Sequence, residues 1–392
     1  MSDLPKPSDE ARQHSEKLVT HITDEIKRCD GKIDFARFME MVLYTPGLGY
    51  YSAGTQKFGR DGDFITAPEI SALFSRCIAR QCGQVLGEMG GGDILEFGAG
   101  SGVMACDILS ELEHLQQLPE KYFILDLSAD LRSRQQTLLK RKVPNLLDRV
   151  EWINSLPKND FEGVVLANEL IDAMPVHLVN FNQERAEECF VGLKDGGFGW
   201  QYAGIENERV RLAMNSIVET LGARQFDETY ISEINLSGTD WVKSVASVLS
   251  SGMVLIIDYG FPRHEYYHPQ RDHGTLMCHY QHRALEDPFV NVGLQDITSH
   301  VDFTALAEAA VAAGLNVAGY TTQAHFLVAA GITELLQDSN DNDPQSQIEL
   351  TQQVKKLTMP GEMGEKFKVL ALMKEIDALP LGFRFQDLRH KL

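Results

Sequence analysis

A glycine-rich turn between a buried strand and a helix is the feature that most constrains the fold of this chain. Residues 94–102 read Ile-Leu-Glu-Phe-Gly-Ala-Gly-Ser-Gly, with Gly98, Gly100 and Gly102 after an acidic strand end. Glycine lets the backbone turn tightly and approach a ligand closely, and residues 103–112 have helical periodicity. The first N–H groups of such a helix favour polar or anionic ligand groups. The turn therefore predicts a nucleotide-like cofactor site in an α/β fold.

The spacing of the glycines excludes two common nucleotide sites. A dinucleotide fingerprint needs a third glycine where this chain has Val103, and a P-loop needs a Gly-Lys-Ser/Thr sequence that the turn lacks. The remaining pattern, acid-x-G-x-G-x-G, resembles motif I of the class I S-adenosylmethionine-dependent methyltransferases. That resemblance implies cofactor contacts from Glu96, Gly98, Ala99, Gly100 and Gly102. Taken alone, the turn also fits a purely structural role in another α/β protein, without cofactor binding.

A carboxylate follows the next predicted strand. The apolar run at 122–125 ends at Asp126, about 24 residues beyond the turn, where a βαβ unit places an acid against ribose hydroxyls. A carboxylate can accept hydrogen bonds from both the 2′ and the 3′ hydroxyl. We therefore predict Asp126 as the ribose ligand, with capping of the helix that begins near Ser128 as the alternative.

The charge balance argues against a nucleic-acid partner. The 392 residues include 36 Lys and Arg against 56 Asp and Glu, a net charge of −20, whereas binding to phosphates needs clustered basic residues. Six scattered cysteines form no C-x-x-C pair, so we expect neither disulfides nor a metal site. We also expect no membrane insertion, because no apolar stretch approaches about 20 residues, and a cytoplasmic location, because leader features are absent.

Hydrophobic periodicity predicts an α/β domain with a central sheet flanked by helices. Seven short apolar runs are candidate strands: 93–97, 122–126, 149–153, 163–167, 252–258, 315–320 and 367–373. Amphipathic helices are expected at 9–28, 34–43 and 66–84. Residues 1–90 are thus assigned to an N-terminal helical cap that contributes to the cofactor site, and residues 91–392 to the main domain.

Two stretches interrupt this alternation and are interpreted as insertions. Residues 176–235 contain alternating apolar runs that suggest antiparallel strands. Residues 259–300 are rich in His, Pro and Gly and are expected to form a long loop over the active site. The two insertions could also form a partner surface or a homodimer surface.

Five segments together resemble one methyltransferase family, the MidA family. These are residues 44–51, 62–71, the glycine turn, 168–175 and 295–303. The resemblance implies a Rossmann-like, seven-stranded class I methyltransferase fold with S-adenosylmethionine as cofactor. Mitochondrial members of the family are complex I assembly factors that methylate an arginine of a core subunit. A protein substrate with an exposed arginine is therefore expected, on a subunit of a respiratory NADH dehydrogenase or a bacterial equivalent. The family's strand acid is commonly glutamate, so Asp126 is a conservative departure.

The resemblance places the substrate at the loop after residues 164–167. Asn168 is expected at the cofactor, Glu169 as the first catalytic carboxylate and Asp172 as a second. A guanidinium, with a pKa above about 12, is a poor nucleophile and must be oriented with its charge localised away from the attacking nitrogen. Carboxylates do this through bidentate hydrogen bonds. The alternative is that Asn168 and Asp172 cap a helix after this loop.

The remaining assignments lie on either side of this core. Thr66 and Pro68 are expected at the cofactor, with Asp63 and Glu69 lining the pocket, although helix capping explains the same residues. His300 is expected to close the substrate channel or relay a proton, beside Asp302. Two other functions stay open at this point: a non-catalytic assembly factor that binds S-adenosylmethionine, and a small-molecule methyltransferase.

Overall fold

The computed structural model describes residues 4–52, 66–158, 160–181, 186–222, 226, 230–338 and 343–392. Its α-helices are α1 (Asp9–Arg28), α2 (Phe35–Tyr44), α3 (Ala67–Ile70), α4 (Ala72–Met89), α5 (Val103–His114), α6 (Ala129–Lys142), α7 (Glu208–Leu221), α8 (Leu236–Val248), α9 (Arg263–Tyr266), α10 (Phe303–Ala312), α11 (Gln323–Ala329), α12 (Ile332–Asp338) and α13 (Pro344–Thr358). Its strands are β1 (Lys32–Asp34), β2 (Asp93–Phe97), β3 (Tyr122–Leu125), β4 (Val150–Ile153), β5 (Phe161–Asn168), β6 (His177–Asn180), β7 (Glu187–Lys194), β8 (Gly197–Gly204), β9 (Ile231–Ile234), β10 (Leu249–Phe261), β11 (Met277–Tyr280), β12 (Arg283–Leu285), β13 (Asp296–Thr298), β14 (Val301–Asp302), β15 (Asn316–Thr322) and β16 (Phe367–Lys374).

The chain divides into two compact units, each built from three segments. The sheet unit comprises Ile65–Ile171, Asp240–Gly260 and Phe303–Leu392. The insertion unit comprises Met1–Phe64, Asp172–Thr239 and Phe261–Asp302. None of the helices in the described ranges combines the length and apolarity needed to cross a bilayer.

The sheet unit contains the predicted central sheet. Along its main path the strand order is β15-β16-β10-β5-β2-β3-β4, and these seven strands correspond to the seven candidate runs of the sequence. Neighbours from β10 to β4 pair in parallel, whereas β16 is antiparallel to both β10 and β15. The prediction of a Rossmann-like α/β sheet is confirmed, with the seven predicted strands on the main path of a sheet of eight strands.

One face of this sheet packs against helices, and its parallel strands set the place of the site. Ile94, Val164 and Leu255 lie in one buried cluster with Ile78 of α4 and Ile108 of α5. Strands in the middle of a parallel sheet are covered on both faces, which explains their nearly continuous apolar runs. Because the carboxyl ends of β2, β3, β5 and β10 lie at the same edge, the residues that follow these strands come together there.

The insertion unit is built mainly from antiparallel strands. β7 pairs with β1, β6 and β8, and β6 pairs with β9, as the alternating pattern of 176–235 predicts. The turn between β7 and β8 is Asp195-Gly196, with φ of 51° and 82°, the conformation of a tight two-residue hairpin.

The interpretation of 259–300 as a long loop is wrong. This stretch contains α9 and a three-stranded sheet in the order β12-β11-β13. Cys278 and Tyr280 are its buried positions on β11, and strands of three or four residues are too short to show a clear alternation in sequence. Glu233 of β9 holds the two insertions together, because its buried carboxylate accepts hydrogen bonds from the N–H groups of Thr275 and Leu276 and from the Tyr266 hydroxyl.

The segment assigned to an N-terminal cap, residues 1–90, is divided between the two units. α1 and α2 lie in the insertion unit, where Ile22 and Phe38 share a buried cluster with Val191 of β7. α3 and α4 lie in the sheet unit, because Phe74 and Ile78 pack into the main core.

Close backbone packing of three strands makes Gly163 a position where a side chain cannot be accommodated. Its φ is 147°, and a Cβ there would lie 1.9 Å from the Asp93 carbonyl oxygen. We expect Gly163→Ala to lower the free energy of unfolding by about 2 kcal/mol or more in urea denaturation. Gly361→Ala is the control, since no heavy atom lies within 4 Å of its Cβ position. Equal stabilities of the two variants would contradict this packing.

Candidate functional site

The glycine turn after β2 has the backbone conformation that its sequence predicts. Gly98, Gly100 and Gly102 have φ of 61°, 52° and 86°, in the left-handed region that costs other residues about 1–2 kcal/mol each. The Gly98 N–H donates to the Leu125 carbonyl of β3 at 3.0 Å. α5 begins at Val103, directly after the turn. The turn is therefore tied to the neighbouring strand and opens at a helix N-terminus.

Gln135 of α6 connects the turn to the predicted ribose ligand, and the sequence analysis missed it. Its Nε2 donates to the Gly100 carbonyl at 3.0 Å and to Asp126 Oδ2 at 2.8 Å. Its Oε1 accepts from Trp152 Nε1 at 2.9 Å, and the side chain is fully buried. One signal was available: Gln135 interrupts an apolar stripe between Leu131 and Leu139.

Two buried carboxylates follow the first strands of the sheet. Glu96 is 1% exposed and accepts from the Tyr122 hydroxyl at 2.7 Å. Asp126 is 6% exposed and accepts from the Ser128 N–H at 2.9 Å as well as from Gln135. The N-cap of α6 is Ser128, whose Oγ accepts from Leu131 N–H. Helix capping therefore does not account for Asp126, and its ribose role stays a prediction.

Burial raises the pKa of both acids. Desolvation raises the pKa of Glu96 from 4.5 to about 7, with a smaller contribution from the nearby charge of Asp126 and opposition from the Tyr122 hydroxyl. Desolvation also raises the pKa of Asp126, against the hydrogen bonds from Ser128 and Gln135. Donors that replace water at these carboxylates therefore favour their charged forms.

The loop after β5 holds Glu169 in a strained backbone. Glu169 has φ of 49°, which is uncommon for a residue with a side chain. Its Oε1 accepts from the Ala67 N–H and from Asn168 Nδ2, both at 3.3 Å. In the part of the chain that the structure describes, Asn168 Oδ1 is buried and has no hydrogen-bond partner. An unused buried acceptor at this edge points to a ligand that donates to it.

The segment before α4 contacts both the turn and the loop. Thr66 is the N-cap of α3 but makes no side-chain capping bond, and Pro68 lies in the first turn. The Ala67 N–H is instead bound by Glu169. Ser101 of the glycine turn donates its hydroxyl hydrogen to Glu69. Asp63 lies outside the described residues.

The other two predicted catalytic residues lie in the insertion unit. Asp172 is buried, and its carbonyl accepts from the Ser299 N–H at 2.9 Å, next to His300. The His300 N–H donates to Thr275 Oγ1 at 2.9 Å, and its ring lies 5.3 Å from that of Phe261. No helix begins in 169–176, and β6 follows, so helix capping by Asn168 or Asp172 is excluded. The catalytic roles of Asp172 and His300 stay predictions.

Leu127 is a second residue that the sequence analysis missed. It directly follows Asp126 and is 77% exposed. An apolar side chain in water at the carboxyl edge of the sheet is suited to the face of a flat apolar ring. The signal was an apolar residue placed after the strand acid, where a solvent-exposed turn residue is expected.

These features define a class. The sheet is parallel except for one antiparallel strand near its edge. A left-handed glycine turn follows a central strand, and an acid follows the next strand. This combination defines a class I S-adenosylmethionine-dependent methyltransferase. The family described as "Putative S-adenosyl-L-methionine-dependent methyltransferase" matches residues 77–321, so the chain belongs to this methyltransferase family.

Known proteins agree with this assignment over the whole chain. A protein from Burkholderia thailandensis, solved bound to S-adenosyl-homocysteine, is 43% identical, with a TM-score of 0.94 and full coverage of both chains. The Caenorhabditis elegans mitochondrial protein arginine methyltransferase NDUFAF7 homolog is 27% identical, over 94% of this chain and 89% of the relative. Human NDUFAF7, also named a mitochondrial protein arginine methyltransferase, is 27% identical over 91% of this chain and 83% of the relative.

The residues of the site fit S-adenosylmethionine. The glycines leave the turn open for the methionine part, Asp126 suits the ribose hydroxyls, Leu127 suits the adenine face, and Asn168 Oδ1 suits the ammonium group. Among the described residues, no group of three or more His, Cys, Asp or Glu side chains could hold a metal ion.

Gln135 is expected to support cofactor binding without contacting the reacting atoms. Gln135→Leu keeps the side-chain volume but removes the hydrogen bonds to the Gly100 carbonyl and to Asp126. We expect it to weaken S-adenosyl-homocysteine binding about tenfold in isothermal titration. Gln81→Leu is the control: Gln81 is also fully buried but binds Gln84 and the Gly382 N–H. An unchanged dissociation constant for Gln135→Leu would refute the role.

Glu96 should make stability depend on pH. The pKa of Glu96 is raised in the folded state. Its side chain therefore contributes fully to the free energy of unfolding below pH 4.5, and this contribution is lost as the pH rises through about 7. Glutamine is neutral at every pH. We therefore expect the free energy of unfolding of Glu96→Gln, measured by urea denaturation, to rise by about 3 kcal/mol relative to that of the parent as the pH goes from 4 to 8. Glu151→Gln, at an exposed position of β4, is the control. Parallel pH profiles for Glu96→Gln and the parent would disprove the shift.

Proposed function

We propose that this methyltransferase methylates an arginine of a protein, on a subunit of a respiratory NADH dehydrogenase or a bacterial equivalent, in the cytoplasm. The names of the curated relatives support an arginine substrate, and the similarity extends over more than nine-tenths of the chain. The net charge of −20 favours a cationic substrate surface. The single observation that carries the proposal is the position of Glu169.

Glu169 has the properties needed to bind a guanidinium. Its carboxylate lies at the carboxyl edge of the sheet, directly after β5, where hydrogen bonds from Ala67 and Asn168 fix its direction. Carboxylates pair with arginine through two parallel hydrogen bonds. A carboxylate oriented before the substrate arrives loses little conformational freedom on binding, so it positions the guanidinium efficiently.

The cofactor, when bound, supplies a methyl group on a positively charged sulfur, which is open to in-line displacement. The chain's own residues prepare the nucleophile. Glu169 binds the planar fork and holds the positive charge on the two nitrogens that do not attack, which leaves electron density on the third. We assign Asp172 as a second carboxylate and His300 as a group that removes the proton from the methylated nitrogen.

The substrate is tested with NADH dehydrogenase isolated from a strain that lacks this protein. We expect incubation with S-adenosylmethionine and the purified enzyme to add methyl groups to an arginine, as mapped by peptide mass spectrometry. Replacing that arginine with lysine in a synthetic peptide should abolish transfer. Methylation only at another residue type or on a small molecule, or cofactor binding without transfer to any protein, would refute the proposal.

Glu169→Gln tests the role of the carboxylate. Glutamine keeps the oxygen that accepts from Ala67 but loses the charge that pairs with a guanidinium. We expect S-adenosyl-homocysteine affinity within about threefold of the parent and methyl transfer about 100-fold slower. Glu375→Gln is the matched control, because Glu375 is also a glutamate with left-handed backbone, at φ of 52°. A parental transfer rate for Glu169→Gln would rule out the role.

A further inference from the structure

The backbone at Glu169 needs an external restraint. A glutamate in the left-handed region is less stable there than in the extended or right-handed regions, and such residues persist where their surroundings fix them. The Glu169 side chain interacts with Ala67 and Asn168, but a side chain with several rotatable bonds does not by itself fix φ. The restraint is therefore expected on the main chain of this loop.

The carboxyl end of β10 provides that restraint. The Glu169 N–H donates to the Ile257 carbonyl at 2.9 Å, which continues the parallel pairing of β5 with β10. Two residues later, the Ile171 N–H donates to Asp258 Oδ2 at 3.0 Å. Consecutive residues of one strand thus bind the loop on both sides of Glu169 and Leu170.

Asp258 is itself fixed in place. Its side chain is fully buried, and Oδ1 accepts from the Tyr259 N–H at 2.9 Å. In the antiparallel register of β10 and β16, its direct partner is Lys368, and residues opposite each other project to the same face about 5 Å apart. Lys368 is buried as well, and its ammonium group donates to the carbonyls of Glu365 and Lys366. Lys368 thus places a buried basic side chain on the face of the sheet that carries Asp258.

We propose that Asp258 is a positioning residue for methyl transfer. Its carboxylate binds the Ile171 N–H, holds the loop in which Glu169 has its left-handed φ of 49°, and so directs the Glu169 carboxylate toward the methyl acceptor. This inference rests on the proposed function of Glu169, and it names the Asp258 carboxylate as the group that fixes the position of Glu169.

A purely structural role for Asp258 makes a different prediction, and Asp93 separates the two. Asp93 begins β2 in the same sheet, and its Oδ1 accepts from the Lys121 N–H at 2.8 Å. Asp93→Ala thus removes a carboxylate-to-backbone hydrogen bond, at a more exposed position, from the opposite edge of the sheet. If Asp258 only stabilised the fold, Asp93→Ala and Asp258→Ala would have the same methyl-transfer activity whenever they lost the same amount of stability.

The test compares Asp258→Ala, Asp258→Asn and Asp93→Ala in the full chain. For Asp258→Ala we expect kcat for the arginine substrate to fall 10- to 100-fold, with S-adenosyl-homocysteine affinity and the substrate KM within about threefold. Asp258→Asn, which keeps one acceptor for the Ile171 N–H, should recover most of kcat. Asp93→Ala should lower the melting temperature but leave kcat unchanged.

Hydrogen exchange gives a readout that needs no methyl acceptor. We expect the Ile171 amide to exchange at least tenfold faster in Asp258→Ala than in the parent, and at the parental rate in Asp93→Ala. A folded Asp258→Ala with parental kcat, or with parental exchange at Ile171, would overturn the proposal. If the parent transfers no methyl group to arginine, the proposed function fails, while exchange at Ile171 still decides whether Asp258 clamps the loop.

Discussion

The site depends on the side-chain amide of Gln135, which joins the Gly100 carbonyl of the glycine turn to the Asp126 carboxylate. Its Nε2 binds both the carbonyl of the glycine turn and the carboxylate of Asp126. Both bonds are buried, where hydrogen bonds are strong and an unsatisfied group is costly. The tight packing of Gln135 against Gly102, where a Cβ would lie 3.2 Å from its Cα, explains why the turn ends in glycine. Turn, acid and helix α6 are consequently one rigid assembly.

The same edge of the sheet stores electrostatic and conformational strain. Glu96 and Asp126 are buried acids that raise each other's free energy in the charged form, and Glu169 has a backbone conformation that its side chain disfavours. Each is held by neighbours on β3, β10 or α6. A cofactor that donates hydrogen bonds to Asp126 relieves part of this strain, so the fold is arranged to gain stability when the ligand arrives.

The sequence predicts the central sheet well because its middle strands β2, β5 and β10 are buried on both faces and appear as nearly continuous apolar runs. It predicts the glycine turn because left-handed backbone at Gly98 and Gly100 has a direct signal in residue type. It does not predict Gln135 or Asp258, since their roles consist of contacts with residues distant in the chain. The division of residues 1–90 was missed for the same reason: amphipathic helices show that they bury a face but not against which partner. The strands of 259–300 are too short to produce a periodic signal.

The strand order has a consequence for synthesis. β16, at Phe367–Lys374, is the last strand in the part of the chain that the structure describes, yet it lies between β10 and β15. Until residues 367–374 have left the ribosome, one edge of β10 lacks its native partner and β15 has none in this sheet. The middle of β10 is apolar and buried, and unpaired edges of this kind invite aggregation. The methyltransferase sheet therefore closes only after β16 has been synthesised, long after β10, which makes a nascent chain of this protein a natural client for chaperones.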